Sequence, residues 1–271
     1  MPADRSVRVV IVGAGIGGIA AAIELRRHGF DDVTVLERGS RLGGTWHYND
    51  YPGCACDVPS HLYSFSFAQR RDWSRLCSPQ VEILEYLTAV ARDQGVDSLV
   101  EYGADVSSCE WDGSWTVSCS DGRVWKADAL LIATGQLHQP AIPAIPGRFD
   151  GRSFHSSRWD HSLDLRGKRV AVIGTGASAV QFVPRVAGQV ERLYVFQRTG
   201  DWFWPRAIGR TRHGCGRSCG VYRRCRRGFC LARTTCLPFS GRMSNWCPSR
   251  SHGSSRRAWS PRMAFCAMSI A

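Results

Sequence analysis

A chain of 271 residues is better suited to two modest cores than to one large one, since domains run to about 100–200 residues. Its formal charge of +12 would point to nucleic acid or an anionic membrane if it were evenly spread, but residues 211–271 hold twelve Arg and no Lys, Asp or Glu, while residues 1–210 balance 23 basic against 23 acidic side chains. The folded part is therefore formally neutral, and neither nucleic acid nor membrane is expected as a partner. No apolar run approaches the roughly 18 residues of a membrane helix, and no export signal opens the chain, so a cytoplasmic protein with reduced thiols is expected.

Residues 7–12 (VRVVIV) form a short β-branched run that stops at Gly13, residues 19–28 have helical spacing and end before Gly29, and residues 33–36 are a second strand-like run. This is a β-α-β unit. A loop rich in Gly, Pro and aromatic residues follows, and then a helix over residues 80–92 with apolar residues at Val81, Leu84, Leu87 and Ala91. Residues 106–109, 114–119 and 123–125 alternate as a small antiparallel ribbon leading into residues 129–133, which read as a buried parallel strand. Beyond the Pro-rich residues 140–146 the pattern starts again. Residues 168–173 are a strand, residues 177–186 a helix that Pro184 should end or kink, and residues 192–196 a second strand, an internal repeat at an offset of 161.

Each repeat carries a glycine loop between strand and helix. In the first, Gly13, Ala14, Gly15, Ile16, Gly17 and Gly18 supply G-x-G-x-x-G. The first glycine makes the tight turn, the second lets backbone N–H groups approach a pyrophosphate at the helix N-terminus, and the third lets helix pack on strand. Glu37, at the end of the second strand, can accept hydrogen bonds from both hydroxyls of an adenosine ribose, provided the 2'-position is not phosphorylated. The bland alternative is a chance glycine turn beside a surface Glu. In the second repeat, Gly174, Thr175, Gly176, Ala177, Ser178 and Ala179 form the loop, with Ala in the third place. Gly13 to Glu37 is 24 residues, and Gly174 to Arg198 is also 24. A guanidinium there would bind a 2'-phosphate that a carboxylate would repel. The first loop is thus expected to take FAD and the second NADPH, unless Arg198 is only a solvated strand-end charge.

Between the loops, Arg41-Leu-Gly43-Gly44-Thr45-Trp46, then residues 51–57 ending at Asp57, then residues 59–67 with Tyr63, resemble the flavin-binding stretch of Baeyer-Villiger monooxygenases. Phe149, Gly151, His155, Trp159 and Asp160 match that family's F-x-G-x-x-x-H-x-x-x-W-(P/D) fingerprint, and Trp159-Asp160 favours it over the sister enzymes that oxygenate nitrogen or sulfur. The resemblance covers about residues 6–206. It implies an α/β fold of two Rossmann-like dinucleotide-binding domains, FAD over residues 1–140 and NADPH from residue 167 to 210, joined by a linker over 141–166. It further implies that NADPH reduces the flavin, that molecular oxygen adds to give a flavin peroxide, and that a ketone becomes an ester or lactone. By the same resemblance Gly13 to Gly18, Glu37, Arg38, Gly44, Thr45, Trp46, Asp57, Tyr63 and Val106 surround FAD, while Gly174 to Ala179, Arg198 and Thr199 hold NADPH. Asp57 is the residue placed nearest the chemistry, as a carboxylate that helps to position an arginine. His155 reads as a structural linker residue, and the C-x-C pair Cys54 and Cys56 as ordinary thiols.

After residue 206 the resemblance stops. Residues 211–271 are rich in Arg, Cys, Ser, Gly, Pro and Trp and show no sustained period, the composition of a GC-rich gene read out of frame. They are expected to form an aberrant, disordered basic tail. Both dinucleotide domains are then expected to be incomplete, and the chain as written is not expected to complete the oxidation, because the family's remaining residues supply an active-site arginine and further FAD-domain chain. The rival readings are a flavin monooxygenase that oxygenates nitrogen or sulfur, a non-catalytic dinucleotide-binding fragment, and a tail that binds zinc through Cys215, Cys219, Cys225, Cys230, Cys236 and His213 or nucleic acid through its arginines. The tail's cysteines do not repeat a C-x-x-C pair, so no metal is expected.

Overall fold

The computed structural model describes residues 6–198 together with the strands Thr234–Pro238 and Met263–Ala267. The chain divides into two compact units, residues up to Tyr48 with Cys56–His138, and Asn49–Ala55 with residues from Gln139 onward.

The first unit is built on β1 (Val9–Val12), α1 (Ile16–Arg27), β2 (Val33–Glu37), α2 (Thr45–Tyr48), α3 (Gln80–Asp93), β3 (Val100–Tyr102), the ribbon β4 (Val106–Trp111), β5 (Trp115–Cys119) and β6 (Val124–Ala127), and β7 (Ala129–Ile132). A four-stranded sheet runs in the order β3-β2-β1-β7, with all pairings parallel, so that Val12 lies opposite both Leu36 and Ile132. The antiparallel ribbon has the order β4-β5-β6. Its Val117, Cys119 and Ala127 pack with Val10, Val12 and Leu36 of the sheet. Ile19, Ala22 and Ile23 of α1 are buried as well. A strand covered on both faces needs apolar side chains at every position, which is why β1 is a continuous run rather than an alternating one.

The second unit contains β8 (Ser153–His155), β9 (Arg169–Ile173), α4 (Ala177–Val186), β10 (Arg192–Gln197), β11 (Thr234–Pro238) and β12 (Met263–Ala267), in a parallel sheet of order β11-β10-β9-β12-β8. Here β9 lies between parallel neighbours β10 and β12, as β1 lies between β2 and β7. Ala179, Phe182, Val183 and Val186 recur on one face of α4 at helical spacing and are all buried.

Four expectations need correction. Residues 129–133 do form a parallel strand, but β7 is a sheet edge with its first three residues half-buried and Ile132 63% exposed. A short apolar run reads the same in an edge strand as in a central one. In α3 the buried face is Ile83, Tyr86, Leu87, Val90 and Ala91, while Val81 is 60% exposed. Pro184 does not end α4, which runs on to Val186. The missing Pro N–H deprives only the Val180 carbonyl, and the last turn closes through the Ala187 N–H donated to the Val183 carbonyl at 2.9 Å. The strands β11 and β12 were not anticipated in the aperiodic residues 211–271; the rest of that expected tail, and residues 199–210, lie outside the described residues.

The α3 register has a direct test in urea denaturation. Ile83→Ala removes a side chain with no exposed surface and should cost about 2–5 kcal/mol, whereas Val81→Ala should stay within about 0.5 kcal/mol. Equal losses would put the buried face where periodicity alone placed it.

Candidate functional site: two glycine loops

In the first unit the Gly13 N–H donates to the Leu36 carbonyl at 2.8 Å, tying the end of β1 to the end of β2. Gly13 has φ +106°, and a β-carbon on it would meet the Ala133 carbonyl oxygen at 2.6 Å. A β-carbon on Gly18 would lie 1.8 Å from the Gly13 carbonyl oxygen, so the third glycine of the motif is what lets α1 approach the strand end. Gly15 is the N-cap of α1. The helix has no side-chain cap and no acidic residue in its first turn, leaving its positive end for an anion.

A second glycine pair backs this loop. The Gly43 N–H donates to the Ala14 carbonyl at 2.9 Å, and Gly44, at φ +51°, comes so close to Gly15 that a β-carbon on it would meet the Gly15 Cα at 2.9 Å. Thr45 and Trp46 then open α2. Trp46 is buried; its indole N–H donates to the Tyr63 hydroxyl at 3.0 Å, the two rings meet edge-on, and the Gln80 amide donates to its carbonyl. Burial pushes the Tyr63 phenol up, against the Trp46 hydrogen bond, and the charge of Asp57 adds to the rise. Sequence reading missed Gln80, a polar side chain at the start of α3 that is buried through this bond to Trp46.

Glu37 ends β2 and is 6% exposed. One carboxylate oxygen accepts from the Ala14 N–H at 2.8 Å and the other from the Gly39 N–H at 2.7 Å. An ionised carboxylate offers about four lone-pair sites, so two remain for ligand hydroxyls. Arg38 turns to His138, whose ring lies 5.1 Å from that of Tyr48. The Val106 side chain is partly buried against the core cluster that contains Val10, Val12 and Leu36. Asp57 is exposed, and its charge also helps to raise the thiol of neighbouring Cys56, which burial raises most. Cys54 and Cys56 are both buried, as structural rather than reactive thiols usually are. An open groove of about 630 Å³ beside α3, lined by Arg70, Asp72, Glu85 and Tyr86 among others, includes none of these residues.

The second unit repeats the loop. Gly174 has φ +103°, and its N–H donates to the Phe196 carbonyl at 2.8 Å. Gly176 caps α4, again with no side-chain cap and no first-turn acid. The strand register corrects one expectation. Val12 pairs with Leu36, but Ile173 pairs with Phe196, which makes the connection one residue shorter in the second unit. Gln197, not Arg198, therefore stands where Glu37 stands, and Arg198 falls one place further on, exposed. Counting along the chain missed this because a one-residue deletion between strands leaves no trace in the glycine motif. Thr199 lies outside the described residues.

Within the same unit Gln181 of α4 holds the segment Asn49–Ala55. Its amide oxygen accepts from the Tyr51 hydroxyl and the Ala55 N–H, both at 3.1 Å, and its amide nitrogen donates to the Ala55 carbonyl at 2.9 Å. Tyr51 and Trp159 both pack edge-on against Phe182, at 6.0 and 5.1 Å between ring centroids. The fingerprint residue His155 is buried and accepts a 3.1 Å hydrogen bond from the Ser157 N–H on Nδ1, capping the short helix Ser156–Arg158. Burial, with Arg158 nearby, holds its pKa below the ordinary value. The folded state takes up this proton less readily than the unfolded chain, whose imidazole titrates at about pH 6.5. His155 should thus contribute stability that is full above about pH 6.5 and falls as pH drops toward the folded pKa. His155→Asn keeps a capping acceptor without titrating, and denaturation curves between about pH 5 and 7.5 should lose that slope; an unchanged slope would assign it elsewhere.

Comparison with known proteins follows the same residues. Over 205 residues the chain is 50% identical to a Baeyer-Villiger monooxygenase of Streptomyces coelicolor, covering 74% of this chain and 39% of that protein. Among solved structures it resembles an oxidized steroid monooxygenase bound to NADP, with 38% identity and a TM-score of 0.70 over 76% of this chain and 41% of the other. It likewise resembles the OTEMO complex with FAD and NADP, with 35% identity and a TM-score of 0.70 over 74% and 40%. The chain thus spans about two fifths of the length of these proteins. Residues 10–205 match the family described as pyridine nucleotide-disulphide oxidoreductase, and the chain belongs to that family, its likeness within it being to the Baeyer-Villiger monooxygenases.

Proposed function

We propose that this chain carries the FAD-binding and NADPH-binding units of a Baeyer-Villiger type monooxygenase, an oxidoreductase of the cytoplasm that uses molecular oxygen to convert a ketone into an ester or lactone. The observation that carries this reading is the pair of glycine loops, each at the N-terminus of a helix that has neither a side-chain cap nor a first-turn acid. Both fit a pyrophosphate. In the first unit a β-carbon on Gly44 would meet the Gly15 Cα at 2.9 Å, so the two glycine segments meet backbone to backbone, and the second unit repeats the turn at Gly174 and the helix start at Gly176. The relatives' bound FAD and NADP support the same assignment.

When bound, the flavin supplies hydride acceptance and oxygen activation. The chain's own residues bind and orient. Glu37, fixed by two backbone N–H groups, offers its remaining lone pairs to the ribose hydroxyls of FAD. The α1 N-terminus faces the pyrophosphate, with Ala14, Ile16 and Gly17 lining the turn, while Thr45, Trp46 and Tyr63 form a wall whose geometry the Trp46–Tyr63 hydrogen bond fixes. Asp57 contributes a surface carboxylate beside that wall, and we assign it a positioning role. In the second unit the loop from Gly174 through Thr175, Ala177, Ser178 and Ala179 takes the NADPH pyrophosphate, and Arg198 the 2'-phosphate.

Gly15→Ala tests the first assignment without disturbing the fold. Gly15 has φ −78°, and the added methyl would meet Gly44 at 3.6 Å, ordinary contact, yet it would protrude where backbone must approach phosphate. FAD affinity should fall by about tenfold or more, equivalent to about 1.4 kcal/mol, with NADP⁺ affinity and melting temperature unchanged. Undiminished FAD binding would place the flavin elsewhere.

A further inference from the structure

Resting on the reading that the second unit takes NADPH, we infer that Gln197 is a specificity-determining residue for that nucleotide, acting as a neutral stand-in for the carboxylate that the first unit holds at the same place. The inference comes from strand register. In both units the residue before the first loop glycine pairs with the residue before the position in question, Val12 with Leu36 and Ile173 with Phe196. Both glycines have nearly the same φ, +106° and +103°, and both donate to the paired strand at 2.8 Å. Glu37 and Gln197 therefore leave equivalent backbone positions, and Glu37 shows how far a side chain of that length reaches, its oxygen lying 2.8 Å from the Ala14 N–H inside the loop.

Glutamine has the length and shape of glutamate but different chemistry. A carboxylate at this position accepts from ribose hydroxyls and repels a phosphate on the 2'-oxygen. A carboxamide accepts through its oxygen, donates through its nitrogen and carries no charge, so it can satisfy a 3'-hydroxyl and a phosphate oxygen together. Discrimination between NADPH and NADH then has two parts, attraction by Arg198 and the removal of repulsion at residue 197. The second part is what distinguishes this proposal from a role for Arg198 alone.

The test is calorimetric titration of the purified chain with NADP⁺, NAD⁺, 2',5'-ADP and 5'-AMP, comparing wild type with Gln197→Glu. The substitution should weaken NADP⁺ and 2',5'-ADP by about tenfold or more and change NAD⁺ and 5'-AMP by less than about threefold. Gln197→Met, neutral and of similar length, should retain most of the preference for the phosphorylated ligands, and it keeps the test open if the glutamate variant fails to fold, because a loss as large as that expected for glutamate would assign the effect to packing and overturn the inference. An unchanged NADP⁺ to NAD⁺ ratio in Gln197→Glu, or equal weakening of both, also overturns it while leaving the NADPH reading intact. A wild-type chain without preference for NADP⁺ would overturn that reading and the inference together.

Discussion

In each unit one backbone hydrogen bond, from the amide of the first loop glycine to the carbonyl that precedes the strand-end residue, sets where the other groups of the site can stand. It extends the parallel strand pairing by one bond, at 2.8 Å in both units, and the positive φ of Gly13 and Gly174 then turns the chain out of the strand toward the helix. In both units the helix N-cap follows two residues after that glycine, at Gly15 and Gly176, the positive end of the helix faces the turn, and the residue after the paired carbonyl ends the strand beside the loop. In the first unit that residue is Glu37, which spends two of its lone pairs on the Ala14 and Gly39 amides and is thereby held in one conformation. A buried carboxylate bonded in this way repays its desolvation and stays ready for a ligand hydroxyl without reorganising.

The same geometry explains why the two loops can serve different nucleotides. Backbone N–H groups and helix dipoles are alike in both and recognise only what the dinucleotides share, the pyrophosphate. What differs lies at the strand end, where the first unit has a carboxylate and the second an amide followed by a guanidinium. Around this core, other polar side chains fix loops that have no regular structure of their own. Gln80 holds the Trp46 carbonyl, Gln181 holds both backbone groups of Ala55, and His155 caps the helix that opens at Ser156.

The sequence made the β-α-β repeats and the glycine loops legible, because glycine position and β-branched runs carry steric meaning that needs no tertiary context. The antiparallel ribbon was legible for the same reason, through its alternation. The buried face of α3 was not, since Val81 and Ile83 are both apolar and only packing decides between them. Nor was the edge position of β7, which depends on what lies beside it rather than on its own residues. The most consequential miss was the alignment of Arg198 with Glu37. Equal counts of 24 residues suggested equivalence, yet strand pairing is settled by hydrogen-bond register, and a connection shorter by one residue moved the comparison to Gln197. Structural glutamines such as Gln80 and Gln181 were invisible because an isolated polar residue beside an apolar one has no periodic signature.

The central claim, that this chain holds two separate dinucleotide sites of different preference, is tested most directly by the stoichiometry of mixed binding. Calorimetric titration of the chain with FAD, and then of the FAD-loaded chain with NADP⁺, should give one equivalent of each, with NADP⁺ binding equally tightly to the FAD-loaded and the FAD-free chain. Competition between FAD and NADP⁺ for a single equivalent, or displacement of either one by the other, would contradict it.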